Sequence, residues 1–366
     1  LSARIVHLCD WLPPDFGAVG QYALEAARNR ARAGAEVLLA GLSSRGDSEV
    51  EERHGAGRLR ILRLASEPCE REHFVARAAW TLVTDLRLVA ATLPDLARAD
   101  TILFTGSPPL LVHLLVPLNL LLRRRLVYRI TDFHPECLIA ELGRAPLWLR
   151  LFLRWTSVLR RAVDEFEVLG EDQRRRLLAA GIRAERVRLE RDDSPVPFPA
   201  GLEPLPRPAP LAGRLVLLYS GNFGLAHDDA TFVEGYRRHH ASGSGRVALW
   251  LNATGARADR VEARLRAEGL PVHRSAPVPT AELARLLASA DAHLITLRDE
   301  FVGYVMPSKV YGCIRSGRPV LFVGSTASDV DLLCRERLPP GRYLRAAAGD
   351  PEAVAAALET LSRTVS

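Results

Sequence analysis

Val305-Met306-Pro307-Ser308-Lys309-Val310-Tyr311-Gly312-Cys313-Ile314-Arg315-Ser316-Gly317-Arg318-Pro319-Val320-Leu321 reads as loop, helix, tight turn and strand. Ser308 stands where an N-cap belongs, and Val310, Cys313 and Ile314 give the helix an apolar face. Gly317 can take the left-handed backbone that ends a helix. Arg318-Pro319 then leads into the buried-strand run of 320–323. A helix start with free amides beside one cation favours an anion, so Ser308 and Lys309 are candidate phosphate-binding residues; the alternative is an ordinary solvated helix start. Lys309 is the only lysine, and the other 48 of the 49 basic residues are arginine. A lone ammonium in such a chain points to a need for a compact point charge instead of a planar fork.

Working outward, the bulk numbers set the frame. A chain of 366 residues is expected to fold as two domains. Its 48% hydrophobic and 25% charged residues describe an ordinary globular protein. The net charge of +6 is modest and spread out, suiting anionic ligands or an anionic membrane surface without calling for nucleic acid. No RNA-binding aromatic motif, zinc-finger spacing or basic tail occurs. Cys9, Cys69, Cys137, Cys313 and Cys334 are scattered and form no CxxC pair, which fits buried thiols in a reduced, cytoplasmic compartment. The most apolar run, Pro108 to Leu122, is too short to span a bilayer and holds three prolines and a histidine.

From the N-terminus, a strand over 4–9 meets the loop from Asp10 to Gly20, then a helix from Val19 to Ala33 and a strand over 36–41. Strand, glycine loop, helix and strand open a Rossmann-type unit, with Gly17 and Gly20 allowing close backbone approach to a ligand. The spacing departs from GxGxxG. Residues 43–70 read as polar and irregular. A helix follows from about His73 to Leu93, then a strand over 101–105 that ends in Gly106-Ser107-Pro108-Pro109. After the apolar helix to Leu122 and Arg123-Arg124-Arg125, the strand Leu126 to Ile130 opens onto Thr131-Asp132-Phe133-His134-Pro135-Glu136-Cys137. Asp132, His134 and Glu136 therefore sit at the carboxyl end of a strand, where open α/β sheets place their ligands; the alternative is a turn with a capping Asp and a solvated Glu. Residues 145–162 form a basic amphipathic helix with Trp148, Leu149, Leu151, Phe152 and Trp155 among arginines. It reads either as a membrane-surface helix or as a core helix with basic ends.

Seven prolines in the sixteen residues 195–210 exclude helix and central strand and predict a stiff linker, at which two domains hinge. The second half starts afresh with a strand over 214–219, the loop Ser220-Gly221-Asn222-Phe223-Gly224-Leu225-Ala226-His227 and a helix from Asp228. Strand–helix alternation continues to a last helix over 351–363. The expected division is an N-terminal Rossmann-like domain over 1–194, the linker over 195–212 and a second Rossmann-like domain over 213–345. The terminal helix in 346–366 would cross back to the first domain. The fold class is α/β: two Rossmann-like domains with parallel sheets facing a central cleft.

Catalytic signatures are few. Asp329-Val330-Asp331 is the one DxD, and it reads as a helix start, so no metal is expected. No Gly-x-Ser-x-Gly elbow and no phosphate loop ending in Gly-Lys-Ser/Thr occurs. Glycine loops at 17–20 and 221–224 on either side of a cleft suit a nucleoside diphosphate whose outer phosphate leaves, with amides and Lys309 stabilising the departing charge in place of a metal.

Ser107-Pro108-Pro109, Asp132 through Glu136, Tyr219-Ser220-Gly221-Asn222-Phe223-Gly224 and Pro307-Ser308-Lys309 followed by Gly317-Arg318-Pro319-Val320 occur in the order found in family 4 of the retaining glycosyltransferases. Over nearly its full length the chain resembles that family, nearest to the fucosamine-type transferases of bacterial surface polysaccharides. The resemblance implies a GT-B fold and metal-independent, retaining transfer from a nucleotide-diphosphate sugar, UDP-sugar favoured, to a hydroxyl acceptor such as a glycolipid, polysaccharide precursor or natural-product aglycone. It implies that Gly17, Gly20, Gly221, Asn222, Gly224, His227, Ser308 and Lys309 hold the donor. Asp299 or Glu300 would meet the sugar hydroxyls, and Asp132, His134 and Glu136 the acceptor or reacting carbon. Tyr304 and Gly312 stand where many members carry glutamates, and Asn222 and His227 where many carry Arg and Lys, which leaves Lys309 as the principal phosphate cation. No cofactor is implied. A nucleotide-sugar 2-epimerase of the same architecture and a non-catalytic partner subunit are the other readings. The expected location is the cytoplasm, with the inner membrane face as a further contact.

Overall fold

A computed structural model describes residues 2–15, 17–67 and 74–364; Phe16, Cys69 and His73 lie outside the described residues. The chain divides into two compact units, Leu1–Arg191 and Asp192–Ser366.

The first unit opens with β1 (Arg4–Trp11), α1 (Ala18–Arg32) and β2 (Glu36–Ser43), followed by β3 (Ser48–His54) and β4 (Gly57–Ala65). Next come α2 (Phe74–Leu96), β5 (Thr101–Thr105), α3 (Leu111–Leu122), β6 (Arg125–Ile130) and α4 (Glu136–Leu142). The unit closes with α5 (Leu147–Arg161), β7 (Glu165–Val168), α6 (Glu171–Ala179) and β8 (Val187–Leu189). Its strands lie in the order β3-β4-β2-β1-β5-β6-β7-β8, and all neighbours are parallel except β3 with β4. Val6, Leu8, Leu39, Ile102, Phe104 and Ile130 are buried, as continuous apolar runs under helices on both faces require. β1 lies between β2 and β5, so the direction of winding reverses there. The clefts of doubly wound sheets form at that reversal, beyond the carboxyl ends of the strands.

The second unit contains β9 (Leu215–Asn222), α7 (Ala230–Ser242), β10 (Val247–Thr254), α8 (Ala256–Ala267), β11 (Val272–Ser275) and α9 (Thr280–Ser289). It continues through β12 (Ala292–Thr296), α10 (Lys309–Arg315), β13 (Val320–Val323), α11 (Asp329–Arg337), β14 (Tyr343–Ala346) and α12 (Pro351–Thr364). The parallel order β11-β10-β9-β12-β13-β14 is that of a dinucleotide-type fold, with the reversal between β9 and β12.

Several expectations need correction. Residues 43–70 hold the β3–β4 hairpin, turned at Gly55 in left-handed backbone, because the alternation in Gly57–Ala65 buries Leu59 and Ile61. The proline-rich segment lacks regular structure apart from a 3-10 turn at Ala209–Leu211, and it lies with the second unit. Leu205 N donates to Arg285 O (3.2 Å), Arg207 pairs with Asp291 (2.7 Å), and Leu211 is buried with Val216 and Trp250. α12 belongs to the second unit: Val354, Leu358 and Leu361 enter the same core as Phe232, Tyr236 and Leu249, so its apolar face is spent there. α5 is no core helix, since Trp148, Leu151 and Trp155 are exposed and only Leu149, Thr156 and Arg160 are buried.

Candidate functional site

In the second unit the site is built at the winding reversal. β9 ends in Tyr219-Ser220-Gly221-Asn222, and the Tyr219 hydroxyl donates to Asn222 O (3.0 Å) while Phe223 N donates to Thr254 O (2.8 Å). The Tyr219 and Phe223 rings stack at 4.2 Å, and His227 stands edge-on to both at 5.6 Å. Gly255, at the end of β10, is obligatory: its φ is +103°, and a Cβ there would lie 2.8 Å from Asn222 Oδ1 and 2.9 Å from Phe223 O.

Lys309 completes this group. Its Nζ lies 3.4 Å from the centroid of the Tyr219 ring, is buried, and has no hydrogen-bond partner among the described residues. Gly221 takes φ +108°, and a Cβ there would meet Lys309 Cε at 3.8 Å and Nζ at 3.9 Å. Burial pulls the amine down from its ordinary 10.5 to about 7. Cys313, one turn along α10, is pushed up to about 12 by its own burial.

The helix-terminus expectation is only partly met. α10 has seven residues, and Ser308 occupies the N-cap position without a side-chain capping bond. The distinctive feature is therefore the orphaned amine and not the helix end. Gly317 does take the left-handed conformation, at φ +68°. Gly312 packs against Leu287, which a Cβ would meet at 3.0 Å. His227 donates from Nδ1 to Thr296 O (2.6 Å) and is held well below its ordinary range by burial and then by Lys309, so it stays neutral and is no second cation. Gly224 lies beside the Asn222 amide. Arg298 N donates to Ala226 O (2.9 Å), which sets the turn carrying exposed Asp299 and Glu300 against the same loop.

The first unit gathers carboxylates at its own reversal. Ser107, after β5, donates to Asp10 Oδ2 at the end of β1 (2.6 Å). Gly106 lets the two strand ends close up, since a Cβ would lie 2.6 Å from Asp132 O. Burial, and then Asp10, pushes Asp132 up to about 7. Asp85 of α2 accepts from Leu110 N (3.0 Å), and burial followed by Asp10 raises it to about 8. His134 is lowered to about 4 by burial and is neutral near pH 7. Glu136 is not a free carboxylate: the Arg160 guanidinium takes both its oxygens, one at 3.1 Å, and the His134 carbonyl at 2.8 Å. Gly20 also has a structural account, because a Cβ would lie 1.8 Å from Trp11 O where α1 presses on β1. Gly17 caps α1 with extended backbone (φ −178°) and has ordinary space around it.

The structure thus brings Gly221, Asn222, Gly224, His227 and Lys309 together in one unit, and Asp132, His134 and Glu136 in the other. Sequence reasoning missed Tyr219 as the platform for Lys309, along with Asp10, Asp85 and Gly255. Gly255 had a signal, a glycine between the strand of 247–254 and a helix. Asp85 had none, being one of several polar residues along α2. Among the described residues no group of three His, Cys, Asp or Glu is placed to hold a metal ion. Asp329 and Asp331 open α11 behind a Ser328 cap, and Asp331 is bound by Tyr343 and Arg335.

No family model and no curated protein matches the chain. Solved structures do. HepE of Anabaena in complex with UDP and glucose superposes with a TM-score of 0.65 at 15% identity, over 99% of this chain and 90% of that one. The apo structure of OtsA gives 0.66 at 14%, over 99% and 92%. An α,α-trehalose 6-phosphate synthase from Burkholderia multivorans gives 0.64 at 13%, over 100% and 91%. Likeness over nearly the full length at such low identity is likeness of fold, and with the two strand orders above it makes this an α/β protein of the GT-B type, with two Rossmann-like domains.

Proposed function

We propose that the protein is a retaining glycosyltransferase that moves a sugar from a nucleotide-diphosphate sugar, with UDP as the favoured nucleotide, to a hydroxyl acceptor without a metal ion. The observation that carries this reading is Lys309: a buried amine without a partner, on an aromatic platform beside the left-handed Gly221, at the winding reversal of the second unit. A buried polar group without a partner is costly, and the site supplies no acceptor. An anionic ligand would. One of the structural neighbours, HepE, was solved both with UDP and with UDP together with glucose. The order of Ser107-Pro108-Pro109, Gly221-Asn222 and Pro307-Ser308-Lys309 supports kinship with family 4.

In this reading the diphosphate lies against Gly221 and Lys309, and its charge grows as the glycosidic bond breaks. An interaction that strengthens along the reaction lowers the barrier instead of only tightening binding. Asp132, His134 and Asp10 face the acceptor side in the first unit. The exposed tryptophans of α5 among arginines support an acceptor at an anionic membrane surface, such as a lipid-linked sugar. Calorimetry with UDP, GDP and dTDP tests the donor site, and failure to bind any of them removes it. Incubation with the bound nucleotide's sugars in the absence of acceptor then separates transfer from epimerisation: an epimerised donor would establish an isomerase instead.

A further inference from the structure

We propose that the second unit takes up one proton when it binds its diphosphate, Lys309 entering the complex as a neutral amine and remaining in it as an ammonium paired with the outer phosphate. The inference rests on the nucleotide-diphosphate reading of the site and concerns how that site is charged.

The geometry comes first. Nζ is enclosed, 3.4 Å from the Tyr219 ring centroid, and no acceptor among the described residues reaches it. The groups around it cannot neutralise an ammonium. From β9 comes Tyr219, whose phenol burial drives well above its ordinary range. From the loop after β9 comes His227, neutral and donating to Thr296 O on β12. From α10 itself comes Cys313, a thiol pushed up to about 12. Arg257 of α8, the next charge acting on His227, is positive and already bound by Asp229. The cation–π contact offsets part of the lost hydration but supplies no counter-charge. Burial alone therefore brings the amine to about 7.

A phosphate dianion reverses the balance, since an opposite charge at contact favours the charged form of the amine. The balance is simple: the neutral amine's lone pair takes a proton from solvent, no bond to carbon or phosphorus changes, and the complex carries one more positive charge. The sign follows by linkage. A base whose value rises on binding takes up protons between its free and bound values, so affinity should fall about tenfold per pH unit above about pH 7. The last phosphate proton ionises near about pH 6, so above about pH 8 the nucleotide contributes no uptake of its own.

The chain's single lysine makes the test direct. Protein labelled with 15N-lysine carries one side-chain amine resonance. It should titrate near about pH 7 in the free protein and remain charged beyond about pH 9 with saturating UDP. Calorimetry of UDP binding at about pH 8.5, in buffers of different ionisation enthalpy, should show uptake approaching one proton. Lys309→Arg, charged at every working pH, should bind without uptake. A free-protein midpoint near the ordinary lysine value, or UDP binding without proton uptake, overturns this inference alone. Absence of UDP binding at any pH overturns it together with the nucleotide reading.

Discussion

At the scale of single residues, two buried groups carry the chemistry the fold can least afford to leave uncompensated. Lys309→Ala should leave the protein folded and cut kcat on the order of 10²-fold or more, the usual cost of removing one donor to a developing anion. Lys309→Arg should recover only part, because a planar fork does not reproduce the compact point charge that Lys309 places over the Tyr219 ring. Steady-state kinetics on both variants decides it, and wild-type turnover in the alanine variant would remove the phosphate site from this stretch. Asp85 is the second group. Burial raises it from 3.8 to about 8, so the native state keeps a proton that the unfolded chain has released between about pH 4 and pH 8. Stability should therefore fall as pH rises through that window. Asp85→Asn mimics the protonated acid, with an oxygen still available to Leu110 N, and should flatten the profile. Denaturant midpoints at about pH 5 and pH 8 measure this, and parallel profiles for the two proteins would count against a buried neutral Asp85.

At the scale of elements, the loop after β6 and the start of α4 hang on one buried pair. Arg160 and Glu136 have side chains 5% and 13% exposed, and Arg160 also holds the His134 carbonyl and lies 5.2 Å over the Phe133 ring. Removing one partner strands the other charge, so Arg160→Ala should cost about 3 kcal/mol or more in chemical denaturation. A loss near zero would show that water replaces the guanidinium. Gly20→Ala should cost about 1–3 kcal/mol, because α1 would have to move off the Trp11 carbonyl. These two sites also mark where the sequence could be read and where it could not. Runs such as residues 216–219 and Val320–Val323 are buried throughout, and their apolar continuity shows in one dimension. Lys309 was legible because it is unique in composition. The Glu136–Arg160 pair spans 24 residues and the Asp10–Ser107 bond 97, so those roles exist only once the chain is folded. The β3–β4 hairpin was hidden because one strand, Ser48–His54, is almost entirely polar and lies at the sheet edge.

At the scale of the whole molecule, the first unit leaves an apolar surface outside its core. α3 packs on α5 through His113, whose ring stacks on Phe152 at 4.8 Å and meets Trp155 at 4.7 Å. Around that seam Leu120, Leu121, Leu147, Trp148, Leu151, Trp155 and Val158 are exposed. Neither helix contains an acidic residue, whereas Arg123, Arg124, Arg125, Arg150, Arg154 and Arg161 lie on or beside them. Among the described residues no helix is long and apolar enough to cross a membrane. Aromatic and aliphatic side chains ringed by arginine match the boundary between acyl chains and anionic headgroups, where a tryptophan keeps its polar edge in the headgroup layer. Each arginine near an anionic surface adds about 1 kcal/mol of attraction, screened within a Debye length. Vesicles containing phosphatidylglycerol should therefore sediment the protein at low salt, and neutral phosphatidylcholine vesicles should not. Trp148→Ala with Trp155→Ala should weaken binding even at low salt, because the apolar contribution is lost while the charges remain. Binding unchanged by that double variant would leave a purely electrostatic contact, and no sedimentation with anionic vesicles at low salt would make a soluble acceptor the better reading.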